Sequence, residues 1–501
     1  MKIAIVGSGF AGSILARVLA IQGHRVQLLD RHRHPRFALG ESSTPLAAIC
    51  LERLAARYGL DDLHALAAWG RWRQALPHLR RGLKRGFTFY GHTPGRPYAN
   101  GPANERRLLV AASPGDGIAD CHWLREDVDH HLVLEAGRAG VEVVEEVDLH
   151  GLERRGNGWR LTGTHHGQPV CFEADLLIDA SGPGGFLARH LPIQRVETEP
   201  RTTLVFGHFE GMIDFTEVAG DANFPQGPYP DEQAAVHHIL EEGWMYVLPF
   251  DHGTVSAGFV VAEDRVREDL SALSPDQAWE HLLARYPTLR DQFAPARPSR
   301  PIGKIPRLQH RLAQAAGDGW ALLPHAYCFF SPLFSTGIAW SLLAVERLSL
   351  LLEQGPPDLQ RYGNLLRLEA DHLQRLIAGA YDAMRDFDLL AAYSNVYFAA
   401  ASFAEARQRL LPGPADGWAW NGFLGSTNPV MQEMLGRVQE PGFEEKIREI
   451  IAPRNLAGLA DPARNRLYPV DLEPLVENAK LLGLTREEVR REFPRLRGAE
   501  R

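Results

Sequence analysis

Gly7-Ser8-Gly9-Phe10-Ala11-Gly12 follows a short apolar run, Lys2 to Val6, and opens a stretch to Ile21 whose apolar residues recur at helical spacing. A second apolar run, Arg25 to Leu29, ends at Asp30. Strand, glycine turn, helix and strand make a βαβ unit, whose parallel sheet is covered by helices on its faces. GxGxxG alone could be an ordinary glycine-rich turn, but in that setting a dinucleotide site is expected. Its glycines permit the tight turn, let the backbone approach a pyrophosphate and allow close helix packing. The helix start favours negative charge, and Asp30 is placed to bind ribose hydroxyls. Gly7, Gly9, Phe10, Ala11, Gly12 and Asp30 are therefore candidate cofactor-binding residues.

Outward from this unit, 501 residues are more than one core usually organises, so two packed lobes and an appendage are expected. The chain is 45% hydrophobic and 23% charged, which is ordinary globular usage. A formal charge of -8 gives no broad reason to hold nucleic acid or anionic lipid. Cys50, Cys121, Cys171 and Cys328 are scattered without a CxxC pair, suggesting neither a zinc site nor a disulfide framework, and a reducing cytoplasm is expected. The apolar start is interrupted by glycines and reads as strand, turn and helix rather than a signal peptide. No uncharged apolar run reaches the ~18 residues of a membrane span, and no metal site is indicated.

Helical patterning runs from about Pro45 to Leu76, and Arg125 to Ala139 reads as a helix. Val141 to Gly163 reads as two strands joined by a turn at Asn157-Gly158. Gly86 to Leu109 is glycine-rich and aromatic, Glu197 to Val261 alternates hydrophobic and polar residues in short strands, and the two stretches can pair into one second sheet. Beyond Asp358 the period is helical for some fifty residues, and Arg486 to Arg501 reads as a frayed helix.

A second glycine element, Leu176 to Gly185 (LLIDASGPGG), is not expected of a plain βαβ dehydrogenase. Here the sequence resembles FAD-dependent monooxygenases and halogenases of the para-hydroxybenzoate hydroxylase fold. The resemblance narrows to the flavin-dependent halogenases at Arg36 to Pro45 (RFALGESSTP), which is similar to a segment lying against the isoalloxazine in that family. Ser42, Ser43 or Thr44 could equally cap a helix beginning at Pro45. The resemblance implies flavin contacts for Arg31, Arg36, Glu41, Ser42, Arg125 (in HWLREDVD, His122 to Asp129), Asp179, Gly182 and Ile338. By residue type alone, Arg125 would also suit a solvated helix face.

Lys84, in LKRGFTFYG, looks like the family's lysine that meets hypohalous acid. Burial can make a lysine a base or nucleophile, although a run with Arg80, Arg81 and Arg85 by itself reads as a solvated face. Ser331 to Gly337 (SPLFSTG) opens an apolar helix, and the resemblance implies a halide at the amides of Thr336 and Gly337. Phe334 stands where the tryptophan-halogenating branch has a glutamate, which points to the phenol or pyrrole branch. Phe89, Trp244, Tyr246, Pro249 and Phe334 are implied for the substrate pocket.

Two segments depart from the family. WxWxIP becomes Trp244-Met245-Tyr246-Val247-Leu248-Pro249, and Pro324-His325-Ala326 replaces Gly-Asp-Ala; His325 is given no role. The expected architecture is α/β. A Rossmann-like FAD-binding domain spans 1-195 and 300-352, with 86-120 joining the substrate lobe. A mixed β-sheet lobe follows at 196-299 and a helical C-terminal region at 355-501. The expected activity is halogenation of an electron-rich aromatic, a phenol or pyrrole that is free or tethered to a carrier protein, in secondary metabolism. It uses reduced FAD, oxygen and chloride or bromide, and with no second GxGxxG the FAD is reduced by a separate flavin reductase. The altered segments leave two alternatives: a flavin monooxygenase or dehydrogenase without halide chemistry, and a flavin-binding protein without turnover.

Overall fold

A computed structural model describes residues 1-266, 269-413 and 417-496. Its labelled strands begin with β1 (Lys2–Val6), β2 (Arg25–Leu29), β3 (Arg81–Lys84), β4 (Gly86–Gly91), β5 (Arg107–Ala111) and β6 (Asp120–Trp123). They continue with β7 (Glu142–Val144), β8 (Leu176–Asp179), β9 (Thr202–Glu210), β10 (Ala235–Ile239), β11 (Gly243–Pro249), β12 (Thr254–Ala262) and β13 (Trp320–Leu322). The principal helices are α1 (Phe10–Ile21), α2 (Pro45–Tyr58), α3 (Arg125–Arg138), α4 (Thr336–Glu353), α5 (Leu359–Ala383) and α6 (Phe387–Leu410).

The first sheet runs β13-β8-β1-β2-β7 with an antiparallel edge at Ala316–Gly317. Its register sets Val6 beside both Leu29 and Asp179. The turn after β1, the end of β2 and the turn after β8 therefore emerge together at the carboxyl edge, where open parallel sheets bind ligands. Helix α1 packs over the sheet through Ile14, Leu15, Val18 and Leu19, all buried. A hairpin, Val147–Arg155 with Gly158–His165, is extended by Gln168–Ala174 into a separate three-stranded sheet.

The second sheet joins β4 and β5 to β10, β11, β12 and β9. Strands β4 and β10 run parallel, and the other pairs among these strands are antiparallel. The sheet continues past residue 299, because Gly303–Ile305 pairs with β9, and it takes Leu467–Tyr468 from the C-terminal region against β5. The helical run expected from Pro45 to Leu76 is three helices, Pro45–Tyr58, Asp61–Leu66 and Trp69–Ala75. The first ends because Gly59 adopts φ 68, a left-handed cap that costs glycine no side-chain clash. At the far end, residues 497-501 of the expected terminal helix lie outside the described residues; Arg486–Arg491 and Phe493–Leu496 are short helices.

The C-terminal helices are anchored by charge. Arg347 of α4 and Glu369 of α5 form a fully buried ion pair. Glu369 also accepts from Trp340 and from the Phe423 amide, and Arg347 donates to the Ala419 carbonyl. No described helix is long and apolar enough to cross a membrane.

Candidate functional site

A cavity of about 760 Å³ opens at the carboxyl edge of the first sheet and extends to the second sheet and the start of α4. Gly7, Gly9, Phe10, Ala11 and Gly12 form one wall. Gly7 has φ 107, and a Cβ there would lie 2.4 Å from the Ala180 carbonyl oxygen; a Cβ on Gly12 would lie 2.1 Å from that of Gly7. Only glycine fits either place. The first turn of α1 has neither a capping side chain nor an acidic residue, leaving its amides for an anion.

Asp30 accepts from the Ser8 amide and hydroxyl and the His32 amide, at 2.7 to 2.8 Å. Burial pushes its carboxyl up, but Arg36 and these donors hold it below the usual value. Arg31, Arg36 and Gly182 also line the cavity. So does Arg125, but its hydrogen bonds are directed at protein: Nε and Nη2 to Asp129, Nη1 to the Leu39 and Gly40 carbonyls. Its guanidinium lies 4.7 Å over Phe10. Arg125 thus fastens the 36–40 loop to α3 while keeping positive charge beside the glycine turn. Asp179 does not line the cavity. It accepts from Ser181 and the Leu187 amide and shapes the second glycine turn from behind.

Glu41 and Ser42 line the far wall in a strap paired edge to edge with β6: the Trp123 amide donates to the Glu41 carbonyl and Ser43 to that of Cys121. Glu41 is held by His208 of β9 at 2.9 Å, a buried contact between the strap and the second sheet. Sequence gave no signal for His208 beyond its place in an alternating strand. On the other side of the strap, fully buried Lys84 donates to the Ser43 carbonyl at 2.6 Å and sits 4.1 Å over the Phe87 ring. Burial lowers its ammonium to about 7. The strap therefore has the cavity on one side and Lys84 on the other.

Thr336, Gly337 and Ile338 line the cavity at the start of α4, which follows Ser335 in left-handed backbone (φ 52) and has neither a capping side chain nor an acidic first turn. Ser335 donates to the Ser42 hydroxyl, joining strap and helix start. His325, which burial keeps neutral with its pKa at about 4, lies against Gly337, where a Cβ would meet its Nε2 at 2.7 Å. Trp244 and Tyr246 line the cavity. The Trp244 indole donates to Tyr381 and Ser331 and stacks on His237, another lining residue the sequence did not single out. Pro249, Phe89 and Phe334 do not line it: Phe334 is stacked 4.4 Å from Tyr397 of α6, and Phe89 4.7 Å from His237.

The cradle suits FAD: a glycine-lined pyrophosphate place, a carboxylate at the ribose end and an apolar chamber beyond. Comparison with known proteins agrees. The Tryptophan halogenase family model matches residues 121-389, and the NAD(P)-binding Rossmann-like domain matches residues 5-45. Monodechloroaminopyrrolnitrin halogenase PrnC of Pseudomonas fluorescens is 28% identical over 411 residues, covering 78% of this chain and 70% of that protein. Tetracycline 7-halogenase of Kitasatospora aureofaciens is 29% identical over 390 residues, covering 71% and 67%. A crystal structure of a halogenase PltM variant in complex with FAD superposes with a TM-score of 0.79 at 23% identity, covering 96% of each chain. PltM in complex with phloroglucinol and FAD gives 0.74 at 22% identity, covering 99% of this chain and 95% of that one. The chain belongs to the tryptophan halogenase family and is a flavin-dependent halogenase, an FAD-dependent oxidoreductase.

Proposed function

We propose that this chain halogenates an electron-rich ring, a phenol or pyrrole either free or on a carrier protein, with FAD reduced by a separate flavin reductase. Gly7, Gly9, Gly12 and Asp30 would hold the dinucleotide, with Arg125 fixing the loop beside it. Glu41, Ser42 and Ile338 would meet the flavin end. Reduced FAD, oxygen and halide supply hypohalous acid. The amides at Thr336 and Gly337 would hold the halide, since uncapped N–H groups at the start of an 18-residue helix suit an anion.

The observation that carries this reading is Lys84, fully buried and bonded to the back of the strap that walls the cavity, where burial lowers its ammonium. A lysine in that state can hydrogen-bond hypohalous acid or attack it as an amine. The wall between Lys84 and the cavity keeps an ordinary ring substrate from the flavin while a small electrophile crosses. Phe334, Tyr397 and Phe398 supply apolar packing on the Lys84 side, with Phe87 and Phe89 against them.

The test is high-resolution mass spectrometry of products from holoenzyme, a flavin reductase, NADH, chloride or bromide, and phenols and pyrroles in free and carrier-bound forms. The expected result is a halide-shifted product that disappears in Lys84→Ala while FAD binding is retained. Persistence of product in Lys84→Ala refutes the lysine assignment, and oxygen incorporation without halide refutes halogenation of that substrate. The two presentation arms decide between free and carrier-bound rings.

A further inference from the structure

Two buried opposite charges face one another near the strap without meeting. Antiparallel pairing sets Lys84 of β3 directly across from Asp120 of β6, so both side chains share one face at a Cβ separation of about 5 Å. Lys84 is 0% and Asp120 5% exposed. Yet the ammonium turns to the Ser43 carbonyl, and Asp120 Oδ2 has no hydrogen-bond partner among the described residues. Leaving a buried carboxylate oxygen without a donor is costly, and so is separating it from an available cation.

The neighbours do not supply a substitute partner. Glu52 of α2 and Glu405 of α6 add like charge beside Asp120, and Arg409 of α6, paired with both glutamates, attracts the Asp120 charge without a hydrogen bond to Oδ2. Tyr397 of α6 lies within reach of the Asp120 charge, and Cys121 follows it; burial pushes both of these groups up and keeps them protonated. Around Lys84, His122 and His237 are driven by burial to about 3 and are neutral. Burial acts on the remaining pair in opposite directions: it lowers Lys84 and raises Asp120, each opposed by the other's charge. The amine and the carboxyl group therefore titrate as a unit.

We propose that Asp120 is the acid–base partner of Lys84 in halogen transfer. The inference rests on the reading of Lys84 as the residue that meets hypohalous acid. From the state with Lys84 amine and Asp120 carboxylic acid, the amine nitrogen attacks the halogen. The nitrogen–halogen bond forms, the oxygen–halogen bond breaks, and Asp120 protonates the departing hydroxide to water. The haloammonium gives its halogen to the ring, returning the bond pair to nitrogen as the carbon–halogen bond forms. Asp120 carboxylate then takes the ring proton, restoring both groups. The sum is hypohalous acid and arene to haloarene and water.

The test uses full-length holoenzyme, Lys84→Ala, Asp120→Asn and Asp120→Glu. The chain has five lysines, Lys2, Lys84, Lys304, Lys446 and Lys480, so Lys84 can be followed by NMR of protein labelled at the lysine ε-carbon. Asp120→Asn should lower kcat about 100-fold with the aromatic KM and FAD affinity unchanged, and should move Lys84 titration to lower pH because its counter-charge is gone. Asp120→Glu should recover part of kcat. A wild-type kcat and pH profile in Asp120→Asn would overturn the proposal. So would a Lys84 that titrates at the ordinary lysine value in the wild type, a result that stands even where the Asn variant does not fold. Full activity in Lys84→Ala would instead overturn the underlying lysine assignment.

Discussion

Arg125 is informative because its charge and its hydrogen bonds do different things. Its fork closes on Asp129 and on two loop carbonyls, so the guanidinium builds the wall and contributes only its field to the cavity. Arg125→Lys keeps the charge and loses the fork. FAD affinity should fall about tenfold, the worth of one charge-assisted hydrogen bond that orders the loop; an unchanged Kd by fluorescence titration would show that the loop needs no such tie. At this scale the sequence was unevenly legible. Gly7, Gly12 and Asp30 could be read from spacing, because a turn with no room for a Cβ admits one residue type. Lys84 could not, since Arg80 and Arg85 beside it do face carboxylates at the surface, and only the strand geometry turns Lys84 inward. His208, His237 and Asp120 carry no periodic signal, because a partner from another strand gives each its setting.

Among the elements, the two sheets followed from alternation and from the βαβ unit, and the broad helical tail from its period. What escaped was connection over long distance: Leu467–Tyr468 joining β5, and the Glu41–His208 contact between the strap and the second sheet. The C-terminal helices show why. One tie of α5 to α4 is a fully buried pair, Arg347 with Glu369, which no window of neighbouring residues contains. Glu369→Ala would strand the Arg347 charge and withdraw the acceptor for Trp340 and Phe423. Removal of one partner of such a pair costs about 3–5 kcal/mol, and urea unfolding should show a loss of that size; a loss under about 1 kcal/mol would mean that water or a rearranged turn takes over the role.

For the molecule as a whole, buried histidines set the response to acid. Burial lowers His92, His122 and His237 to about 3, and His325 and His372 to about 4. Each is neutral in the folded state and takes a proton in the unfolded chain below an ordinary value near 6.5. The unfolded state therefore binds more protons across the interval from about 6.5 down to these lowered values, and stability falls as pH drops through it. Urea midpoints should decline steadily between about pH 7 and about pH 5; a flat series would show that these rings are hydrated in solution. The cavity wall has a consequence of its own. It gathers Gly7, Ser42, Tyr246, Thr336 and Leu373, residues that belong to the turn after β1, the strap, the second sheet, α4 and α5. A ligand filling that space is a keystone, because any opening of the arch must first release it. Free FAD at 100 times its Kd would add about 2.7 kcal/mol to global stability, so the melting midpoint should climb with the logarithm of cofactor concentration and sheets and tail should melt in one step.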